Sequence, residues 1–163
     1  MDQVRQAPLF DGARPIYEIT QIWFTNQPAA PGESSTAKDV TATLEFFDPK
    51  SRVARVTAHG QWAVTTAPEH VGYMGTTPVT DIPPSAIPVK LMAILKHPQD
   101  TSAYAYAQEN IYASPDGRHA SYELPRGRYR LRVKLLGKNV NKSFAFTVDN
   151  GGLGTRPSVV RSG

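Results

Sequence analysis

The chain alternates hydrophobic and polar residues over short runs that turn-forming residues separate. Residues 39–47 read DVTATLEFF, in which every second residue from Val40 to Phe46 is apolar. A period of two is typical of a strand with one buried face. By similar patterns, further strands are predicted at residues 16–25, 53–65, 89–96, 102–111, 121–124, 128–136 and 143–148.

Two of these segments have irregular features, and the segment after residue 65 is not predicted to be a strand. Gly60 interrupts the run at 53–65 and predicts a bulge or a break in the strand. The alanines of 102–111 also suit a helix, so both interpretations stay open there. Thr66 to Pro88 holds prolines at positions 68, 78, 83, 84 and 88, too many for a regular element. This proline-rich segment is therefore predicted to be a long loop, and long loops often carry function.

Many short strands without a convincing amphipathic helix predict an all-β fold, namely an antiparallel two-sheet β-sandwich of the immunoglobulin-like type. A jelly roll or a partly closed barrel is the alternative. We expect a leader at 1–14, the sandwich domain at 15–150 and a flexible tail at 151–163.

Composition narrows the chemistry. The 163 residues contain no cysteine, which excludes disulfides, thiolate catalysis and cysteine-bound zinc. Neither a signal peptide nor an apolar membrane span is recognisable, so we expect a soluble chain, in the cytoplasm rather than secreted. Membership of a larger, membrane-associated protein stays open. The formal net charge of +4 permits anionic partners without requiring one.

The sequence RGRYRLRVK at 126–134 concentrates positive charge on one predicted strand. Successive strand residues point to opposite faces, so Tyr129, Leu131 and Val133 would face the core. The opposite face would present the candidate binding residues Arg128, Arg130, Arg132 and Lys134. The next strand offers only Ser143, Ala145 and Thr147 on that side, so a positive strip without carboxylate partners is expected. The alternative is a solubilising strand surface that discourages aggregation.

Catalytic and metal-binding patterns are absent from the sequence. The histidines His59, His70, His97 and His119 show no zinc-binding spacing, and the aspartates no calcium-loop pattern. No nucleophile motif occurs either. We therefore expect no enzyme, no cofactor and no metal, although a hydrolase with His59 or His70 in a loop-built cleft stays a third hypothesis.

Aromatic residues raise a second hypothesis. Trp62 and the candidate binding residue Tyr73 would stack on a sugar if both were exposed side by side. The chain would then be a carbohydrate-binding module. The alternative is that the tryptophans belong to the core.

The order of four segments resembles a known kind of domain. They read AKDVTATLEFFDP, GQWA, DIPPSAIPVKLMAILKHP and LPRGRYRLRVKLLGKNVNKSFAFTVDN. Together, over Tyr17 to Asn150, they resemble an immunoglobulin-like β-sandwich domain of uncharacterised bacterial proteins, some of them membrane-associated. The resemblance implies an interaction domain and assigns no ligand or catalytic residue.

The leading hypothesis is thus a non-catalytic binding module that uses the positive strip or the proline-rich segment. A protein partner is expected first, and nucleic acid or anionic lipid are the alternatives. The oligomeric state is left open.

Overall fold

The protein folds as two antiparallel β-sheets packed face to face. The computed structural model describes residues 3–11, 14–27, 35–63, 76–85, 87–114 and 116–163. The first sheet contains β1 (Gln3–Asp11), β2 (Arg14–Phe24), β5 (Gln61–Ala63), β6 (Thr76–Thr77), β8 (Val89–Lys96), β9 (Ala103–Ala105) and β10 (Glu123–Leu124). The second contains β3 (Ala37–Phe47), β4 (Val56–His59), β7 (Thr80–Ile82), β11 (Gly127–Gly137), β12 (Val140–Asn150) and β13 (Ser158–Arg161). The predicted all-β sandwich is confirmed.

Strand order places β8 and β11 in the middle of the two sheets. The first sheet runs β1-β2-β8-β5-β6, and β9 pairs with β8 and β10 with β9. The second runs β13-β12-β11-β3-β4, and β7 pairs with β3. One short helix, α1 (Gln108–Ala113), and a 3-10 turn (Ala120–Tyr122) connect β9 to β10. The central position of β11 fixes which side chains flank its exposed face.

The core lies between the sheets. Ile22, Leu91 and Ile94 of the first sheet pack with Leu44, Val133 and Phe146 of the second, and all six are buried. Strand β8 is buried on both faces, because Met92 and Leu95 join a second apolar cluster. Burial on both faces accounts for its continuous apolar sequence VKLMAILK.

Gly60 marks the point where the chain leaves one sheet for the other. Strand β4, before it, belongs to the second sheet, and β5, after it, belongs to the first. A Cβ atom at Gly60 would lie 2.8 Å from both Ala42 Cβ and Leu91 Cδ1, so the crossing leaves no room for a side chain. The predicted break is confirmed.

The ambiguous segment 102–111 takes both of the structures considered for it. Its first part forms β9, and its last residues enter helix α1. Asn110 of this helix is buried and donates hydrogen bonds from Nδ2 to the carbonyl oxygens of Ala105 (3.1 Å) and Gly117 (2.7 Å). These bonds hold the short helix against the end of β9.

The two ends of the chain differ from the sequence prediction, because strands occupy both. In the expected leader, β1 pairs with β2 from Gln3 to Asp11. In the expected tail, β13 pairs with β12 and buries Val159 in the core. Backbone pairing at a sheet edge requires no extended hydrophobic alternation, and four residues are too few to display one. The boundaries 15–150 therefore omit two strands.

Candidate functional site

The basic face is the solvent side of β11. It consists of Arg128, Arg130, Arg132 and Lys134, which are all exposed. The alternate residues from Tyr129 to Leu135 are buried in the core. Core and basic face thus arise from one alternating sequence, as the period of two predicts.

Strand β12 flanks the basic face with small uncharged residues. Ser143, Ala145 and Thr147 lie opposite Lys134, Arg132 and Arg130, as expected. The strand is longer than predicted, however, and its Asp149 lies opposite Arg128. The two side chains approach to 3.6 Å between Arg128 Nη2 and Asp149 Oδ2. This carboxylate corrects the expectation that the strip has no acidic partner.

Strand β3 supplies a second carboxylate. Glu45 lies opposite Arg132, whose Nε donates to Glu45 Oε2 at 2.6 Å, and Lys134 Nζ donates to Oε1 at 3.2 Å. Burial by itself would raise the pKa of the Glu45 carboxyl, but the hydrogen bonds and charges of Arg132 and Lys134 outweigh it and lower that pKa. Glu45 therefore stays ionised and neutralises part of the basic face.

The aromatic ring of Phe47 packs against the guanidinium groups of two arginines. The residue is only 8% exposed, and the guanidinium carbons of Arg130 and Arg132 lie 5.3 and 5.1 Å from the centroid of its ring. Arg130 also donates a short hydrogen bond from Nη2 to the carbonyl oxygen of Ser51. Cation–π contact and hydrogen bonding together restrict where these two guanidinium groups point.

A groove opens on the solvent side of the second sheet, beside the basic face. Its volume is about 430 Å³. We call it the arginine groove, because its polar lining consists of Arg52, Arg130, Arg132, Ser143 and Ser162. These residues come from the β3–β4 loop, from β11 and β12, and from the residue after β13. All five side chains can donate hydrogen bonds, and none carries a negative charge.

The proline-rich segment is only partly described. Tyr73 lies outside the described residues, as does the rest of 64–75. The later part contains β6 and β7, so it is less irregular than predicted. Both carboxylate oxygens of Asp81 in this part accept hydrogen bonds within the protein. Oδ2 accepts from Lys38 Nζ at 2.7 Å, and Oδ1 accepts from the Asp39 backbone N–H at 2.9 Å.

Trp62 belongs to the core. Its exposed fraction is 0%, and its ring packs edge-on against Phe24 at 6.0 Å between centroids. A buried ring cannot stack on a sugar. Trp62 therefore cannot be one of the two exposed aromatic residues of the hypothetical carbohydrate site.

The histidines within the described residues are dispersed. His59 is exposed and lies 3.0 Å from Glu109, from Nδ1 to Oε1. His97 is buried with Nε2 2.7 Å from the Asp116 carbonyl oxygen, and His119 Nδ1 accepts from the Ser121 backbone N–H. His70 lies outside the described residues. In the part of the chain that the structure describes, no three histidine, aspartate or glutamate side chains gather in an arrangement that could hold a metal ion.

Comparison with known proteins adds no assignment. No protein-family model, no curated protein and no solved structure matches this chain. The resemblance to bacterial β-sandwich domains stays a prediction. Among the described residues, no helix has the length and apolar character needed to cross a membrane.

Proposed function

We propose that this protein is a non-catalytic binding module that recognises an acidic segment of a partner protein. The basic face and the arginine groove would form the binding surface. A charge imbalance carries the proposal, because five cations are accompanied by two carboxylates and a net charge of three remains. The cations are Arg52, Arg128, Arg130, Arg132 and Lys134, and the carboxylates are Glu45 and Asp149.

Strand geometry supports an extended acidic peptide as the ligand. Alternate residues of β11 repeat about every 6.7 Å, and side chains on one face of any extended peptide have the same repeat. Carboxylates at every second residue of a bound segment would therefore meet successive cations of the basic face. Guanidinium groups bind carboxylates through two parallel hydrogen bonds, which adds geometric selectivity.

The aromatic residues argue against single-stranded nucleic acid. Proteins that bind it combine cations with exposed rings on which bases stack. Phe47, beside the basic face, is buried, and the half-buried Phe144 turns its ring to the core side of β12, where it packs against Phe24. Arginine guanidinium groups already lie over both rings, with that of Arg161 5.5 Å from the Phe144 centroid. These two rings are therefore not open to a base.

The charge arrangement also argues against an anionic membrane. Polybasic membrane-binding segments present about four to eight cations to the lipid surface. Here Arg132 and Lys134 share Glu45, and Arg128 faces Asp149. The remaining excess suits a short acidic segment better than a charged plane.

The proposal extends to the type of sandwich. We take it to be immunoglobulin-like and related to the bacterial β-sandwich domains that the sequence resembles. The two antiparallel sheets and the crossing at Gly60 support this choice. A carbohydrate-binding role is disfavoured by the burial of Trp62.

The test measures binding of fluorescent octaglutamate by anisotropy over a salt series. The variant Arg128→Gln/Arg130→Gln is compared with Lys138→Gln/Lys142→Gln, which removes the same charge outside the groove lining: Lys138 pairs with Asp39, and Lys142 lies opposite the buried Leu135, on the other face of β12 from Ser143. Circular dichroism verifies that both variants fold. A single-stranded oligothymidylate and vesicles containing phosphatidylserine are measured in parallel.

We expect salt-sensitive binding of octaglutamate that the first variant weakens at least about tenfold and the second leaves nearly unchanged. Equal losses in both variants would show that only net charge matters and would contradict the proposal. Tighter binding of the oligothymidylate or the vesicles would replace the proposed partner class.

A further inference from the structure

The arginine groove has a donor set that a simple acidic peptide does not use fully. Three guanidinium groups and two serine hydroxyls from separate segments line one concavity of about 430 Å³. A carboxylate offers two oxygens to such a set, whereas a phosphate monoester offers three. The lining therefore matches a tetrahedral oxyanion more closely than a planar one.

The charges within the groove lead to the same ligand. Arg132 is compensated by Glu45, whereas Arg130 donates to a neutral carbonyl group, that of Ser51. Arg52 makes no hydrogen bond or ion pair within the described residues. Two positive charges thus lack a carboxylate, and a phosphorylated side chain carries a charge of about −1.5 to −2 at pH 7.

The groove is also partly organised before any ligand binds. Phe47 supports the guanidinium groups of Arg130 and Arg132 from below. The bond from Arg130 to Ser51 fixes the chain immediately before Arg52. Side chains held in this way lose less conformational entropy when they bind an oxyanion.

We infer that the arginine groove is a subsite for a phosphoserine or phosphothreonine side chain of the partner protein, an inference that rests on the proposed function. Arg52 and Arg130 would bind the phosphate oxygens directly. Ser143 and Ser162 would donate from the opposite side of the groove, with Ser162 Oγ accepting from Thr147 Oγ1, which lies 3.0 Å away. The neighbouring acidic residues of the partner would follow the basic face.

The experiment titrates three fluorescent peptides of the sequence Glu-Glu-Xaa-Glu-Glu, in which Xaa is phosphoserine, serine or glutamate, into the full chain. Affinities are measured for the wild type, Arg52→Gln, Arg130→Gln and the control Lys142→Gln. Amide chemical shifts from NMR, recorded with the phosphoserine peptide, locate the binding surface. Ser143 and Ser162 are the expected reporters.

We expect the phosphoserine peptide to bind the wild type about tenfold more tightly than the glutamate peptide. This preference should vanish in Arg52→Gln, fall in Arg130→Gln and persist in Lys142→Gln. Equal affinity for the phosphoserine and glutamate peptides would overturn the subsite while leaving the proposed function intact. Shifts confined to residues outside the groove would overturn it as well, and no binding of any peptide would remove both proposals.

Discussion

Basic side chains have two opposite environments in this protein. On the basic face, Arg130 and its neighbours are exposed, so the hydrogen-bond donors that they do not use within the protein are accessible to solvent. Lys96, at the end of β8, is 2% exposed and lies between the sheets. Its Nζ donates to the carbonyl oxygens of Thr101 (2.9 Å) and Gly152 (3.0 Å) and to Asn150 Oδ1 (3.0 Å).

The buried ammonium uses all three of its donors within the protein. Burial lowers the pKa of Lys96, and the negative charge of Asp100 opposes this shift only in part. The bonds join the end of β8, the loop that follows it and the turn after β12. The comparison indicates that a cation satisfied by the protein stabilises the fold, whereas a cation with donors in solvent is available to a partner.

The largest expected effect follows from removing the buried ammonium. Lys96→Met should lower the free energy of unfolding by about 3 kcal/mol, because three oxygens, two of them in buried hydrogen bonds, lose a charged donor. Urea unfolding measures the change. The control Lys134→Met removes an exposed lysine and should cost less than about 1 kcal/mol. Similar values for the two variants would contradict the contrast between the environments.

Asn150 gives the next largest effect. Its Nδ2 donates to the carbonyl oxygens of Thr101 (3.1 Å) and Leu124 (2.9 Å), while Oδ1 accepts from Lys96. Asn150→Ala should therefore destabilise the protein by about 2 kcal/mol in urea unfolding. Asn139→Ala is the control, since the Asn139 side chain likewise accepts and donates hydrogen bonds, two in all, but is exposed. A smaller loss of unfolding free energy in Asn150→Ala than in Asn139→Ala would contradict the stabilising role of Asn150.

The strands and the basic face could be predicted from the sequence, because alternation is a local property. The period of two at 39–47 and 128–136 predicts the buried and exposed residues of β3 and β11, except that Phe47, on the polar side of β3, is buried. The role of Lys96 was not predicted, since the sequence VKLMAILK ends in a lysine that would ordinarily reach solvent. The sequence does contain one signal for this role: Lys96 is the last residue of an apolar run that is typical of a strand buried on both faces.

The partners of the basic face depend on strand order, which the sequence does not encode locally. The alternation at 39–47 places Glu45 on the polar side of its strand, but no local pattern places that strand beside β11. The arginine groove is even harder to predict from the sequence, because Arg52 and Ser162 lie far apart in the chain and come together only in the folded second sheet. Such juxtapositions follow from tertiary packing rather than from periodicity.

Replacing Glu45 measures how much the ion pairs of the basic face contribute to the free energy of unfolding. Glu45→Gln should cost about 0.5–1 kcal/mol near pH 7, because its partners are partly exposed and solvent screens the ion pairs. The folded-state pKa of Glu45 is lowered, so its contribution is present above the ordinary carboxyl pKa and is lost as the pH falls through the folded value.

Urea unfolding of both proteins between pH 7 and pH 3 checks this sign. The difference between wild type and Glu45→Gln should shrink toward acidic pH. The same variant should bind octaglutamate more tightly, since one competing carboxylate is gone. A difference in stability that grows toward acidic pH, or weaker binding of the peptide, would contradict the assigned role.

Replacing Arg128 should have the smallest effect on stability. It therefore separates most clearly a cation that binds a partner from a cation that stabilises the fold. Its distance of 3.6 Å from Asp149 and the exposure of both side chains predict a change in unfolding free energy within about 0.3 kcal/mol for Arg128→Gln. Octaglutamate affinity should nevertheless fall by about two- to threefold, because one cation of the basic face is lost. Reduced affinity at unchanged stability would separate this residue from Lys96, whereas unchanged affinity would restrict the binding surface to the arginine groove.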